Sequence, residues 1–295
     1  MEVDTKKLPR AHRVGLGRVA AMAVAAIGFP LAAIAEEHEA HTADKSGYSI
    51  FSPTPVQLMR PMSADRPDFT ESPYTVDAGH VQLEMSFVDY AFDNDNGRVH
   101  SLAFAPVNLK FGLTNGTDVQ FVFDPYIHEH TEGGGTANGN GDFQVRLKMN
   151  LWGNDGGQTA FGIMPFVKIP VASDDLGNQH VDGGVIFSLG VELPHDWGLG
   201  VMLEVDAPFD ESDNAYDVEF IHTAVVGHDL FGDLAGYCEY IGISSSDGDT
   251  HYQALIGAGV TYGLSENAAL DTGVNVGLTE AADDVNVFSG ITLRY

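Results

Sequence analysis

Residues 285–295 read VNVFSGITLRY, and the alternation in them decides the fold. Val285, Val287, Ser289, Ile291, Leu293 and Tyr295 fall on one face of an extended strand, and Asn286, Phe288, Gly290, Thr292 and Arg294 fall on the other. The strand ends on an aromatic residue with no polar tail behind it. Such a strand predicts a sheet that closes by pairing its last strand with its first, which leaves no open edge. The competing expectation is a terminal edge strand of a soluble sandwich.

Outward from that strand, toward the N-terminus, the same alternation recurs. The chain divides into twelve runs, at 79–92, 99–112, 117–128, 142–152, 158–170, 181–193, 197–208, 216–229, 232–243, 251–262, 267–279 and 285–295. Most reach the roughly 9–11 residues that a tilted strand needs to cross a bilayer. The connectors alternate in character. Those at 113–116, 153–157, 194–196, 230–231 and 263–266 are tight, whereas 93–98, 129–141, 171–180, 209–215, 244–250 and 280–284 are longer and acidic or glycine-rich. Short turns on one rim and longer loops on the other are expected of an outer-membrane barrel.

Each run has an apolar row and a polar one. In 142–152, Phe143, Val145, Leu147, Met149 and Leu151 oppose Gln144, Arg146, Lys148 and Asn150. In 79–92, Val81, Leu83, Met85 and Phe87 oppose Gln82, Glu84 and Ser86. A soluble barrel would bury the apolar row, and a membrane barrel would turn it to lipid with the charges in the lumen. Alternation alone does not choose between them. Pro106, Pro125 and Pro165 each remove a ladder donor inside a run, so bulges are expected there, toward the barrel ends. His222 falls in the presumed lipid-facing row.

The totals narrow the function classes. Fourteen Lys and Arg face 42 Asp and Glu, a net charge of −28, which repels nucleic-acid phosphates. Cys238 is the one cysteine, so neither an intrachain disulfide nor a Cys-based zinc site is expected. Residues 1–18 carry Lys6, Lys7, Arg10, Arg13 and Arg18, residues 19–35 are apolar and small, and they end Ala33-Ile34-Ala35 before Glu36 and Glu37. That order predicts a signal peptide over 1–35. Residues 36–63 read as a polar flexible segment, and residues 64–78 as an ordered lead-in to the first strand. His38 and His41 in the first, and His128-Glu129-His130 farther on, offer too few ligands for a convincing metal centre. No cofactor motif and no strong catalytic motif is present.

Asp65-Arg66-Pro67-Asp68-Phe69-Thr70-Glu71-Ser72, followed by Gly79-His80-Val81-Gln82-Leu83-Glu84, resembles the opening signature of the Putative MetA-pathway of phenol degradation family. Asn108 through Thr114, Gly141 through Lys148, Pro165 through Pro170 and Asp283 through Gly290 fit it too. The resemblance implies an all-β fold, a closed antiparallel transmembrane barrel of about twelve strands, with short periplasmic turns and longer acidic extracellular loops. Tyr295 is similar to the aromatic assembly signal of such barrels. The implied partners are outer-membrane lipid, the barrel-assembly machinery and a small-molecule solute.

In that arrangement the lumen would carry Glu84, Lys110, Arg146, Lys148, Lys168, Glu192, Glu204, Asp206, Glu219, Glu239, Asp271 and Arg294. Two readings of these charges stand: opposed charged walls that orient a permeating solute, or an ion-pair network that fills a small barrel. The lead-in, with Asp65, Arg66, Asp68 and Glu71, is expected to plug the short-turn mouth, Arg66 pairing with a lumen carboxylate. The expected function is a non-enzymatic channel or transporter for small hydrophilic or aromatic solutes in the bacterial outer membrane. The alternatives are a non-conducting structural or adhesion barrel, a secreted soluble ligand-binding barrel, and a barrel enzyme.

Overall fold

The computed structural model describes residues 44–95, 97–173, 176–177, 179–210, 214–247 and 251–295. The expected signal peptide, His38 and His41 lie outside the described residues.

The alternating runs form strands β1 (Val81–Asp93), β2 (Val99–Phe104), β3 (Val107–Thr114), β4 (Thr117–Phe123), β5 (Tyr126–Thr131), β6 (Gly135–Gly139), β7 (Phe143–Trp152), β8 (Thr159–Ile169), β9 (Asp182–Leu193) and β10 (Trp197–Ala207). After a small hairpin of β11 (Phe209–Asp210) and β12 (Ala215–Tyr216) come β13 (Glu219–Phe231), β14 (Leu234–Ser245), β15 (Gln253–Ser265), β16 (Ala268–Gly277) and β17 (Val285–Arg294). All but the hairpin join one antiparallel sheet. It closes on itself because β17 pairs with β1, with Gln82 opposite Arg294 and Phe92 opposite Val285. The sheet is a barrel of twelve staves, since β2 with β3, β4 with β5 and β6 with β7 each make one interrupted stave.

The interruptions follow from the prolines, although not where they were expected. Ala105-Pro106 separates β2 from β3, and Asp124-Pro125 separates β4 from β5. Val107 pairs with Phe123 and Phe104 with Tyr126, so the two breaks lie side by side across the wall rather than at the barrel ends. β1 shifts register beside them, between Ser86 and Val88. Pro165 leaves β8 continuous, and only its pairing to Leu147 and Lys148 of β7 lapses. The expected loop at 129–141 is mostly hairpin: β5 runs on to Thr131 and β6 starts at Gly135. Its Gly, Asn and Thr residues carry no apolar alternation to betray a strand.

Burial decides which face points inward. On β1 the buried side chains include Gln82, Glu84 and Ser86, and on β7 they are Gln144, Arg146 and Lys148. The apolar rows look outward: Leu151 is 54% exposed and Phe87 47%. This is the inverted pattern of a barrel solvated by lipid. His222 does face out, where its Nε2 lies 3.2 Å from the Tyr252 hydroxyl and its ring stacks on Phe220.

The interior is not uniformly polar. Met164 and Phe166 on β8, Ile186 on β9, Met202 on β10, Ile221 on β13, Ile241 and Ile243 on β14 and Leu255 on β15 also lie buried, in one apolar cluster with Phe69 and Ala282. The lumen therefore has a charged wall from β1 to β7 and an apolar wall from β8 to β15.

Candidate functional site: the lumen and the segment inside it

Residues 44–78 do not hang free of the barrel. The stretch before Arg60 pads the short-turn rim: Ile50 N–H donates to the Leu113 carbonyl at 2.8 Å, and Thr54 N–H to that of Ala78 at 2.9 Å. Arg60 marks one foot of an inner loop and Asp77 the other. Arg60 N–H donates to Asp77 Oδ2 at 3.0 Å, and its guanidinium reaches Asp155 at 3.1 Å. Arg294, the last cation of β17, donates to the Arg60 carbonyl at 2.7 Å. Burial raises the Asp155 carboxyl, but hydrogen bonds from Lys45 and Asn115 and the Arg60 charge outweigh this and hold it below the usual carboxylate range.

Between those feet the chain rises into the lumen and returns. The Asp65 carboxylate accepts from Lys148 Nζ, at 2.6 Å, and from Lys110 Nζ. Its backbone N–H donates to Glu84 at 2.9 Å. Glu71 meets Arg146 at 2.5 Å and Lys148 at 3.6 Å, and Lys110 meets Glu84 at 2.5 Å. Three cations of the wall thus face three carboxylates, two of them from the loop, all at most 3% exposed. A buried cluster of zero net charge with several hydrogen bonds per group is the arrangement in which mutual attraction can offset desolvation. Across the lumen, Arg66 makes a paired contact with Asp271, at 2.7 and 3.1 Å, and donates to Ser86 at 2.6 Å. Phe69 N–H and the Thr70 hydroxyl both donate to Glu239, at 2.7 and 2.6 Å. The loop touches β1, β3, β7, β14 and β16, which surround it.

The wall makes room for this loop with inward-facing glycines. A Cβ at Gly112 would collide with the Asp77 carbonyl, one at Gly290 with the Arg66 guanidinium, and one at Gly162 would press on Pro73. The loop's side chains fill the remaining gaps: Phe69 joins the apolar wall while Asp65 and Glu71 join the charged one.

The other expected lumen residues fall into two groups. Glu84, Lys110, Arg146, Lys148, Glu239 and Asp271 bind the loop or one another near mid-lumen. Lys168, Glu204, Asp206 and Glu219 lie in the half nearer the long loops, where Lys168 pairs with Asp182 at 2.8 Å and lies 3.8 Å from Asp142. Glu192 shares the inward row of β9 but is exposed at the short-turn rim. Tyr295 exchanges backbone hydrogen bonds with Val81 at the seam. The cations of β3 and β7 therefore do not look straight across at an acidic wall, because Asp65 and Glu71 stand between. Asp68 is 1% exposed, and both its carboxylate oxygens lack a hydrogen-bond partner. His128 and His130 share a face, as alternate strand residues do, but pair with Asn138 and Thr136. Among the described residues no group of three candidate ligands could hold a metal ion.

The half nearer the long loops is acidic. Asp283, in the loop between β16 and β17, is pushed up to about 7 by burial and by Asp93, Asp89, Asp284 and Glu129. Sequence reading missed the apolar cluster and the loop's glycine bed. Both were signalled by residues in the polar row that are not polar, such as Met164, Met202, Ile221 and Gly290.

Residues 64–295 match the family described as Putative MetA-pathway of phenol degradation. No curated protein is similar enough in sequence to count as a relative. An outer membrane channel from Pseudomonas putida F1 is similar in structure, with a TM-score of 0.56 at 12% identity over 73% of this chain and 94% of that one. The NanC porin follows with a TM-score of 0.49 at 11% identity over 72% and 98%. The translocator domain of the autotransporter NalP from Neisseria meningitidis follows at 0.43, with 10% identity over 73% and 88%.

Proposed function

The chain belongs to that family, and on this premise we propose that it is an outer-membrane channel whose lumen passes small solutes when the inner loop gives way. The short-turn rim faces the periplasm and the long-loop rim the exterior. Residues 1–35 are the export signal, Tyr295 is read by the assembly machinery, and lipid covers the outward apolar rows. The residues between Asp65 and Thr75 are the plug, with Asp65, Arg66 and Glu71 as its fastenings. The observation that carries the reading is the two-sided lumen around this loop. The ion cluster on β3 and β7 offers polar groups to a solute, and the apolar cluster from β8 to β15 offers a surface for an aromatic ring. Both solute classes expected from the sequence thus have a wall of their own, and the apolar one favours aromatic solutes. No catalytic role is assigned to any residue.

The filled lumen would equally suit a non-conducting barrel, and one experiment separates the two. Proteoliposomes carrying the chain without residues 65–75 are expected to swell faster in small neutral and aromatic solutes than those carrying the whole chain. Equal swelling, with the truncated barrel still heat-modifiable on gels, defeats the channel reading.

A further inference from the structure

Asp124 directly follows β4, in line with the inward row that holds Asp118, Gln120 and Val122. It is 1% exposed, and neither of its carboxylate oxygens has a hydrogen-bond partner. Its neighbours add to the cost of burying its charge. Asp89 on β1 and Asp142 just before β7 both act on it as like charges, and Arg146 is the cation that acts on it. Arg146 already bonds Glu71 at 2.5 Å, and Arg66, which acts on Asp89, is committed to Asp271. Lys168, a cation of this half, is drawn to Asp182 and stays 3.8 Å from Asp142. Asp89 itself holds one donor, Asn286 Nδ2 at 2.6 Å. Gly141 abuts Asp124 with no side chain of its own, since a Cβ there would stand 3.0 Å from Asp124 Oδ2.

A buried carboxylate among like charges is held only if something positive and hydrogen-bond-donating reaches it, or if it takes up a proton. A bare metal ion does not fit, because no three carboxylates among the described residues converge as ligands. An ammonium group fits, since it brings three N–H donors and a single charge to acceptors that are spread out.

We propose that Asp124, with Asp89 and Asp142, forms a binding site for cationic solutes bearing a protonated amine, in the exterior half of the lumen. The site rests on the reading of the lumen as a solute path and names the solute charge that this path favours. On this stave Asp124 lies on the long-loop side of Gln120, the residue that pairs with Lys110 and Arg146, so a cationic solute entering from that rim meets Asp124 before the ion cluster that fastens the plug.

Binding is measured without flux, so its failure is separable from failure of the channel reading. The detergent-solubilised full chain is titrated calorimetrically with ethanolammonium chloride, with ethylene glycol as the neutral two-carbon control and sodium chloride as the ionic-strength control. Saturable binding is expected for ethanolammonium alone, and Asp124→Asn is expected to weaken it at least tenfold while Asp155→Asn at the opposite rim leaves it unchanged. Because Asn mimics the protonated carboxyl, binding that survives Asp124→Asn at full strength overturns the site and leaves protonation as the account of Asp124. Absence of saturable binding in the unaltered chain overturns it as well. Asp142→Asn supplies the same comparison if Asp124→Asn does not fold. A chain that binds ethanolammonium but gives no swelling in any loop variant would keep this site and lose the channel.

Discussion

The two walls of the lumen hold the same loop by different physics. From β1 to β7 the grip is ionic: Lys110, Arg146 and Lys148 enclose Asp65 and Glu71. From β8 to β15 it is mainly apolar, with Phe69 in the cluster that holds Met164, Met202 and Ile221, and Glu239 on β14 adds a polar hold by accepting from Phe69 N–H and the Thr70 hydroxyl. Ionic contacts are directional and leave a stranded charge when one partner goes, whereas apolar packing is tolerant of shape as long as volume is kept. The charged wall should therefore fix where the loop sits. The apolar wall should allow it to slide or be replaced by a solute of similar character.

The largest effect should come from the charged side. Asp65→Ala takes the shared carboxylate from two buried lysines, leaving Lys110 with Glu84 and Lys148 with the more distant Glu71 and the cluster with a net positive charge. It is expected to cost about 3–5 kcal/mol of barrel stability, read as a fall in the temperature at which the folded gel band is lost. Next, Gly162→Val drives a side chain into Pro73 and should cost about 1–3 kcal/mol in the same assay, with faster swelling because the loop is pushed off the wall. Phe69→Leu keeps most of the volume on the apolar side and should cost less than about 1.5 kcal/mol. If it costs as much as Asp65→Ala, the contrast between the walls collapses.

The smallest effect tests the acidic rim. Asp283 binds its proton more tightly in the fold than in the unfolded chain, with a folded pKa of about 7. Between the ordinary carboxylate pKa of about 4 and that value the folded state carries more protons than the unfolded one, so local stability falls as pH rises through this window. Amide protection factors in residues 279–284, with the base catalysis of intrinsic exchange divided out, should be higher at pH 5 than at pH 8, and Asp283→Asn should abolish most of the difference. Protection factors that are equal at both pH values in the unaltered chain would remove Asp283 from this role.

The closed barrel and its twelve staves were legible because period-two alternation and turn length are local signals carried by each run, from the first to the closing strand at Val285. The inside-out faces came instead from the family resemblance, since alternation does not say which row is inward. The partner expected for Arg66 was legible as a type of residue, a lumen carboxylate, but Asp271 lies 205 residues away and only closure of the sheet brings it near. The extra length of β5 and β6 was hidden because Gly135, Thr136 and Asn138 mimic a loop. The apolar wall was hidden for the opposite reason. Met202 and Ile221 sit in rows otherwise rich in glycine or charge, and a row of mixed character gives no sign of which wall it joins.

Both feet of the inner loop, Arg60 and Asp77, stand at one rim and are bonded to each other. Between those feet the described segment is thus a bight rather than a thread, entering and leaving the cylinder at one rim. Insertion needs no threading, so the sheet can zip shut from β17 to β1 either before or after the bight enters. Withdrawal can proceed only toward the rim where the feet stand, and the bight then remains moored for return.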